Sequence, residues 1–257
     1  RCFVDKESAA TSPLATMVQT YPVKSHNVIA HVRKATVGAV KLENCHPFVR
    51  ELWGRYWVFA HNGDLVEFAP QLHGSFQPVG NTDSELAFCW IMQELAKSHV
   101  GVPSVEELTC TLRELVPRIS KHGTFNFLLS NGQALWAHAS TKLCYIVREF
   151  PFGEVHLKDE DVRVDLSELN GPEDRLAIVV TEPLTTNETW THMNAGDLYS
   201  FVDGCPIAEP ECCKSALIPA AAAAAAARQA AADLAAELAV TAASSASTNN
   251  AATSQPV

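Results

Sequence analysis

Two apolar segments with helix-start signatures lie back to back between residues 82 and 121, flanked on both sides by short runs of β-branched and aromatic residues, and this order limits the folds open to the chain. Thr82-Asp83-Ser84-Glu85 opens the run LAFCWIMQEL, and Thr82 and Glu85 have the spacing of a capping box, which predicts a helix to about Lys97. Ser104 and Glu107 repeat that spacing ahead of LTCTLRELVPRI, where Pro117 is expected to kink or shorten the helix. An earlier signal, Ser12-Pro13 before LATMVQTY, places a capping serine and a first-turn proline at the start of a helix ending near Tyr21.

Around these helices the periodicity is that of strands. NVIAHVR (Asn27 to Arg33) and YWVFAH (Tyr56 to His61) read as buried strands separated by a polar, irregular segment, and a loop is expected from Asn62-Gly63 to Gly80. TFNFLLS, an Asn131-Gly132 turn and QALWAHA predict a hairpin, with LCYIVRE and RLAIVVT as further strands. Strands, then helices, then strands again, without an internal repeat, point to α+β layering and not to a run of βαβ units. Beyond Cys213 the composition shifts to alanine and then to Ser, Thr and Asn, so residues 214–257 are expected to be an appendage: an Ala-rich helix over 219–240 and a disordered tail.

Composition narrows the function classes. With 47% hydrophobic residues, 257 residues can bury a sizeable core, while a net charge of -10 leaves no basic surplus for phosphate contacts and excludes nucleic acid as an expected partner. The longest alanine tract is interrupted by Arg228, Asp233 and Glu237, so no membrane span is expected. The opening Arg1-Cys2-Phe3-Val4-Asp5 lacks the apolar core of a signal peptide, and the eight cysteines contain no CxxC pair; a cytoplasmic protein with reduced core cysteines is the expectation.

Four clusters place polar residues or glycine at the mouth of an apolar element: HVRKATVG (31–38), NCHPF (44–48), HNGDL (61–65) and NTDSE (81–85). Arg33, at the exit of a strand-like run, suits a bidentate clamp on a carboxylate, although a surface ion pair is the commoner use. Asn62-Gly63 offers an amide side chain beside an unhindered N–H, as a developing oxyanion needs, and equally suits a hairpin turn. Asp83 can accept from a ligand ammonium or simply favour a helix start. His31, His46 and His61 lack any metal-ligand spacing and are expected to be hydrogen-bonded structural residues; no metal is expected.

As an ordered set, HVRKATVG, NCHPF, FAHNGDL and NTDSE resemble the class II glutamine amidotransferases of the N-terminal-nucleophile hydrolase superfamily. The likeness is closest to the small stand-alone members, on KSHNVIAHVRKATVG, ENCHPFVRELWGRYWVFAHNG and WTHMNAGDLYSF, and covers roughly residues 1–205. The resemblance implies a four-layer αββα sandwich, with the 82–121 helices in an outer layer. It implies Arg33 holding the glutamine α-carboxylate, Thr36 as a substrate-binding residue of the same loop, Asp83 the α-ammonium, Asn62 and Gly63 the oxyanion, and His31, Asn44, His46 and His61 in supporting places. Val37 stands where many relatives have histidine.

The chemistry so implied is attack by an N-terminal cysteine thiolate on the amide of glutamine or another γ-glutamyl compound, giving a thioester and ammonia without a cofactor. Cys2, followed by FVDKES, resembles a later hairpin strand and not the family's nucleophile. Residues 1–213 are therefore expected to be an amidotransferase domain lacking its N-terminal strands and nucleophile, inactive as it stands. A separate protein is expected to accept the ammonia, unless water does. The alternative is an inactive binding or subunit module on the same fold.

Overall fold

The computed structural model describes residues 2–21, 23–32, 39–159 and 162–207. Helix α1 (Pro13–Thr20) begins where the sequence places it: the Ser12 hydroxyl accepts from the Leu14 and Ala15 N–H groups, each at 3.2 Å, and donates to Asp5. Strands β1 (Phe48–Leu52) and β2 (Arg55–Leu65) form a hairpin whose two turn residues, Trp53 and Gly54, both have positive φ (56° and 71°). A two-residue hairpin loop of that kind matches the twist of the strands it joins.

Helices α2 (Asp83–Ser98) and α3 (Val105–Ser120) follow, then β3 (Gly123–Ser130) and β4 (Leu135–His138) around the Asn131-Gly132 turn. The remaining strands are β5 (Cys144–Glu149), β6 (Glu154–His156), β7 (Arg163–Asp165), β8 (Arg175–Val180), β9 (Thr191–His192), β10 (Leu198–Val202) and β11 (Cys205–Pro206). They form an antiparallel six-stranded sheet in the order β1-β2-β3-β4-β10-β11, a three-stranded sheet β8-β5-β9 and a β6-β7 ribbon.

Alternation along the strands builds three successive layers. Trp57 and Phe59 of β2, Phe125, Phe127 and Leu129 of β3 and Trp136 of β4 point to one face. There they meet Phe88, Ile91 and Met92 of α2 and Leu108, Leu112 and Ile119 of α3; the rings of Trp57 and Trp136 stack at 5.8 Å, and those of Phe59 and Phe88 at 5.0 Å. Each of these side chains, fully removed from water, contributes about 1.5–3 kcal/mol of transfer free energy. The residues between them, Leu128, Leu135 and Ala137, turn to the opposite face and pack with Tyr199 and Phe201 against Tyr145, Ala177 and Val179 of the three-stranded sheet. The α+β class and the helix-on-sheet-on-sheet order are those of the expected sandwich.

Several expectations need correction. Residues 27–32 form no strand: their side chains alternate between half-buried and exposed, Val28 and Val32 are 70% and 78% exposed, and no described strand pairs with them. β-rich composition suits a pleated surface, but a ladder also needs a neighbour. The segment read as irregular contains β1, and β2 continues through Asn62-Gly63 to Leu65 because β3 supplies partners that far. Glu85 does not complete the capping box: Thr82 accepts from Glu85 N at 3.2 Å, but the carboxylate turns instead to Arg50 and to the N–H groups of Val79 and Gly80. Ser104 and Glu107 form the full box, and α3 runs through Pro117 for three further residues. Among the described residues, Cys2, Cys45, Cys89, Cys144 and Cys205 are free thiols. The expected appendage at 214–257 lies outside the described residues, as does the end of the expected domain at 208–213.

Candidate active site at the end of strand β2

Consecutive peptide groups of a strand point to opposite edges. Val66 N donates to His122 O, on the β3 side, and Leu65 N donates to Asp83 Oδ2 at 2.7 Å, on the other side. By that alternation the Gly63 N–H points to the same edge as that of Leu65, while the Asn62 carbonyl points to β3. β1 pairs with β2 only as far as Phe59, so beyond that residue it does not occupy this edge. The Asn62 side chain is exposed on the face opposite His61.

Gly63 is required where it stands. A Cβ there would lie 1.8 Å from Thr124 O and 2.7 Å from His61 Nε2, so no side chain fits between β2 and the start of β3.

His61 is buried between strand and helix. Its Nε2 lies 3.0 Å from Thr124 O, which can only accept, so Nε2 carries the proton and Nδ1 accepts from the Ser84 hydroxyl at 2.8 Å. Burial lowers its pKa, against smaller raising effects of the Thr124 carbonyl, Asp83 and Asp64. With both nitrogens engaged, His61 serves to fasten α2 to β2. Because Ser84 follows Asp83, the same bond brings the Asp83 carboxylate to the edge carrying the Leu65 and Gly63 N–H groups.

The other polar residues singled out by sequence support this end of the sheet. Asn44 is fully buried; its Nδ2 donates to Ala39 O at 3.1 Å and Asn81 Oδ1 at 2.9 Å, and its Oδ1 accepts from Asn81 N at 3.1 Å, which ties the lead-in of β1 to that of α2. The His31 and His46 rings lie 4.3 Å apart, and His46 meets the Phe48 ring edge-on at 4.6 Å. Arg33 and Thr36 lie outside the described residues. Gly63, His61 and Asp83 are brought together at this edge, with the Asn62 side chain on the opposite face of β2; Asn44, His46 and His31 lie in the adjoining segments.

Three participants escaped sequence reasoning. Ser84 reads as a routine first-turn residue and Thr124 acts through its backbone. Asn126 left a signal, a lone amide inside the apolar run TFNFLLS. A cavity of about 590 Å³ adjoins this end of β3, lined in part by Ser120, Thr124, His138, Ser140 and Thr141.

Comparison with known proteins bears on the family and the fold. Residues 1–226 match the family model described as class-II glutamine amidotransferases. A Haemophilus influenzae protein classed with the glutamine amidotransferases is 45% identical over 209 residues, covering 81% of this chain and 71% of the relative. The Escherichia coli protein YafJ, classed likewise, is 43% identical over 205 residues, covering 79% and 80%. The crystal structure of a predicted glutamine amidotransferase from Pseudomonas aeruginosa superposes with a TM-score of 0.63 at 44% identity, over 69% of this chain and 70% of that one. No helix among the described residues is long and apolar enough to cross a membrane. A glutamine amidotransferase-like sequence order, a matching layered fold and these relatives lead to one assignment: the chain belongs to the class II glutamine amidotransferases.

Proposed function

We propose that residues 31–85 form the glutamine-recognising and oxyanion-stabilising half of a glutaminase site. The observation that carries the reading is the shared edge of β2. The Gly63 N–H points there, and two residues on, about 7 Å along the strand, Leu65 is bonded to Asp83. That separation is comparable with an extended glutamine measured from its side-chain amide to its ammonium. Gly63 N–H and the Asn62 side chain then stabilise the tetrahedral oxyanion, and Asp83 accepts the α-ammonium. Arg33, with Thr36, takes the α-carboxylate, and a γ-glutamyl compound presents the same two charged groups.

The reaction is thiolate attack on the side-chain amide, release of ammonia and hydrolysis of the thioester. Cys2 is not the thiol. Its Sγ lies 3.9 Å from Pro47 O beside the entry to β1, and burial pushes its pKa up, the reverse of what a nucleophile needs. We place the nucleophile at the head of an upstream segment that begins with an encoded Met-Cys, whose strands pair with residues 27–32 and cover Val28 and Val32. The ammonia passes to an acceptor on another protein or to solvent, and the setting is cytoplasmic.

The test is ammonia and glutamate release by the full-length protein and its Arg33→Ala, Asn62→Ala and Asp83→Ala variants. The reading requires loss of glutamine saturation for Arg33 and Asp83 and loss of turnover for Asn62. Wild-type turnover unaffected by all three substitutions contradicts it.

A further inference from the structure

We infer that Asn126 is a positioning residue for the oxyanion donor, holding the peptide group between Asn62 and Gly63 at a fixed tilt. The inference rests on the glutaminase reading of that peptide. Asn126 sits on β3 directly opposite Asn62 and is 3% exposed. Its Nδ2 donates to Asn62 O at 3.1 Å and to Thr141 Oγ1 at 2.9 Å, and its Oδ1 accepts from Ser140 N at 2.9 Å and Thr141 N at 3.1 Å.

Asn62 O and the Gly63 N–H belong to one planar trans peptide and point in opposite directions. A donor fixed on the oxygen therefore fixes the aim of the N–H. Backbone pairing alone leaves that plane some freedom, because Gly63 carries no side chain and β1 does not flank this edge. Asn126 removes the freedom from behind, and the segment 140–141 in turn holds Asn126. Ser140 strengthens the arrangement: its hydroxyl accepts from Phe125 N at 2.7 Å, so the 140–141 segment holds β3 at Phe125 as well as at Asn126.

The position also explains why an amide is needed. An aspartate of the same shape keeps the acceptor for the N–H groups of Ser140 and Thr141 but loses the donor and sets a carboxylate against the Asn62 carbonyl. Asn126→Asp therefore separates fastening of the 140–141 segment, which survives, from positioning of the peptide, which is lost.

The experiment measures kcat and KM for glutamine in the full-length protein, with circular dichroism to establish the folded fraction, for wild type, Asn126→Asp, Asn126→Ser and Thr141→Val. The expected result is kcat lowered about tenfold or more in both Asn126 variants, with KM changed less than about twofold. Thr141→Val, which leaves the Asn62 bond in place, loses little turnover. Should Asn126→Asp fail to fold, Asn126→Ser carries the test, since its short neutral side chain cannot reach the Asn62 carbonyl. Unchanged kcat in folded Asn126 variants, or a rise in KM at constant kcat, overturns the proposal while leaving the glutaminase reading intact. A wild-type protein that releases no ammonia overturns both.

Discussion

Leu65 donates its backbone N–H to the Asp83 carboxylate across 2.7 Å, so the end of β2 and the start of α2 share the group proposed to bind the glutamine ammonium. Asp83→Asn keeps an oxygen for Leu65 and removes the charge. We expect KM for glutamine to rise by about tenfold or more, the weight of a charge-assisted hydrogen bond, with folding stability changed by less than about 1 kcal/mol. Asp83→Ala loses both, so its melting temperature falls as well. Steady-state kinetics and thermal melts on the two variants separate the roles.

Gly63 admits no side chain. Gly63→Ala sets a methyl against the Thr124 carbonyl, a backbone atom that cannot move without breaking the β2–β3 ladder. The expected cost is about 2–3 kcal/mol, read from denaturant unfolding.

Stability falls on the acid side through two buried histidines. His61 and His138 both have pKa values lowered by burial. His138 Nδ1 donates to Asp197 O at 2.9 Å and its Nε2 faces the Ser120 hydroxyl at 3.3 Å, so it too is held neutral. The unfolded chain takes up a proton near pH 6.5 while the folded chain does not, so stability is complete above that pH. It is lost as pH falls from there toward the lowered folded values, by about 1.4 kcal/mol per pH unit for each histidine. Urea midpoints between pH 7.5 and 5 in wild type and His138→Gln test this: the variant should show the shallower dependence.

Arg50 and Glu85 form a desolvated pair, with Glu85 2% exposed and also accepting from Val79 N at 3.0 Å and Gly80 N at 2.7 Å. Glu85→Ala leaves the guanidinium, still bonded to Val49 O and Gln77 O, without its counter-charge and two amides without their acceptor, and is expected to destabilise by about 3–5 kcal/mol. Replacing both residues by apolar ones of similar size should cost less than the single change, as a double-mutant comparison would show.

Local chemistry wrote the helices plainly in the sequence. Ser12, Thr82 and Ser104 each cap the helix they were assigned, and Asn131-Gly132 turns the hairpin expected of it. Pairing is a non-local decision and was less legible. Residues 27–32 have strand composition without a strand, while β1, with charged Arg50 and Glu51, gains its place from register with β2 across Trp53-Gly54. At the proposed site, Asn62, Gly63 and Asp83 stood out only as part of an ordered set of motifs, since each alone also suits a turn or a helix start. Asn126 and Ser84 did not, because each acts on a residue 64 or 23 positions away.

The most direct measurement is ammonia and glutamate release from glutamine by this chain, by its Cys2→Ser variant and by a version extended upstream to an encoded Met-Cys start. The account predicts hydrolysis by the extended protein alone, unaffected when Cys2→Ser is introduced into it. Hydrolysis by the chain itself that disappears in Cys2→Ser, or an extended protein that releases no ammonia, would contradict it.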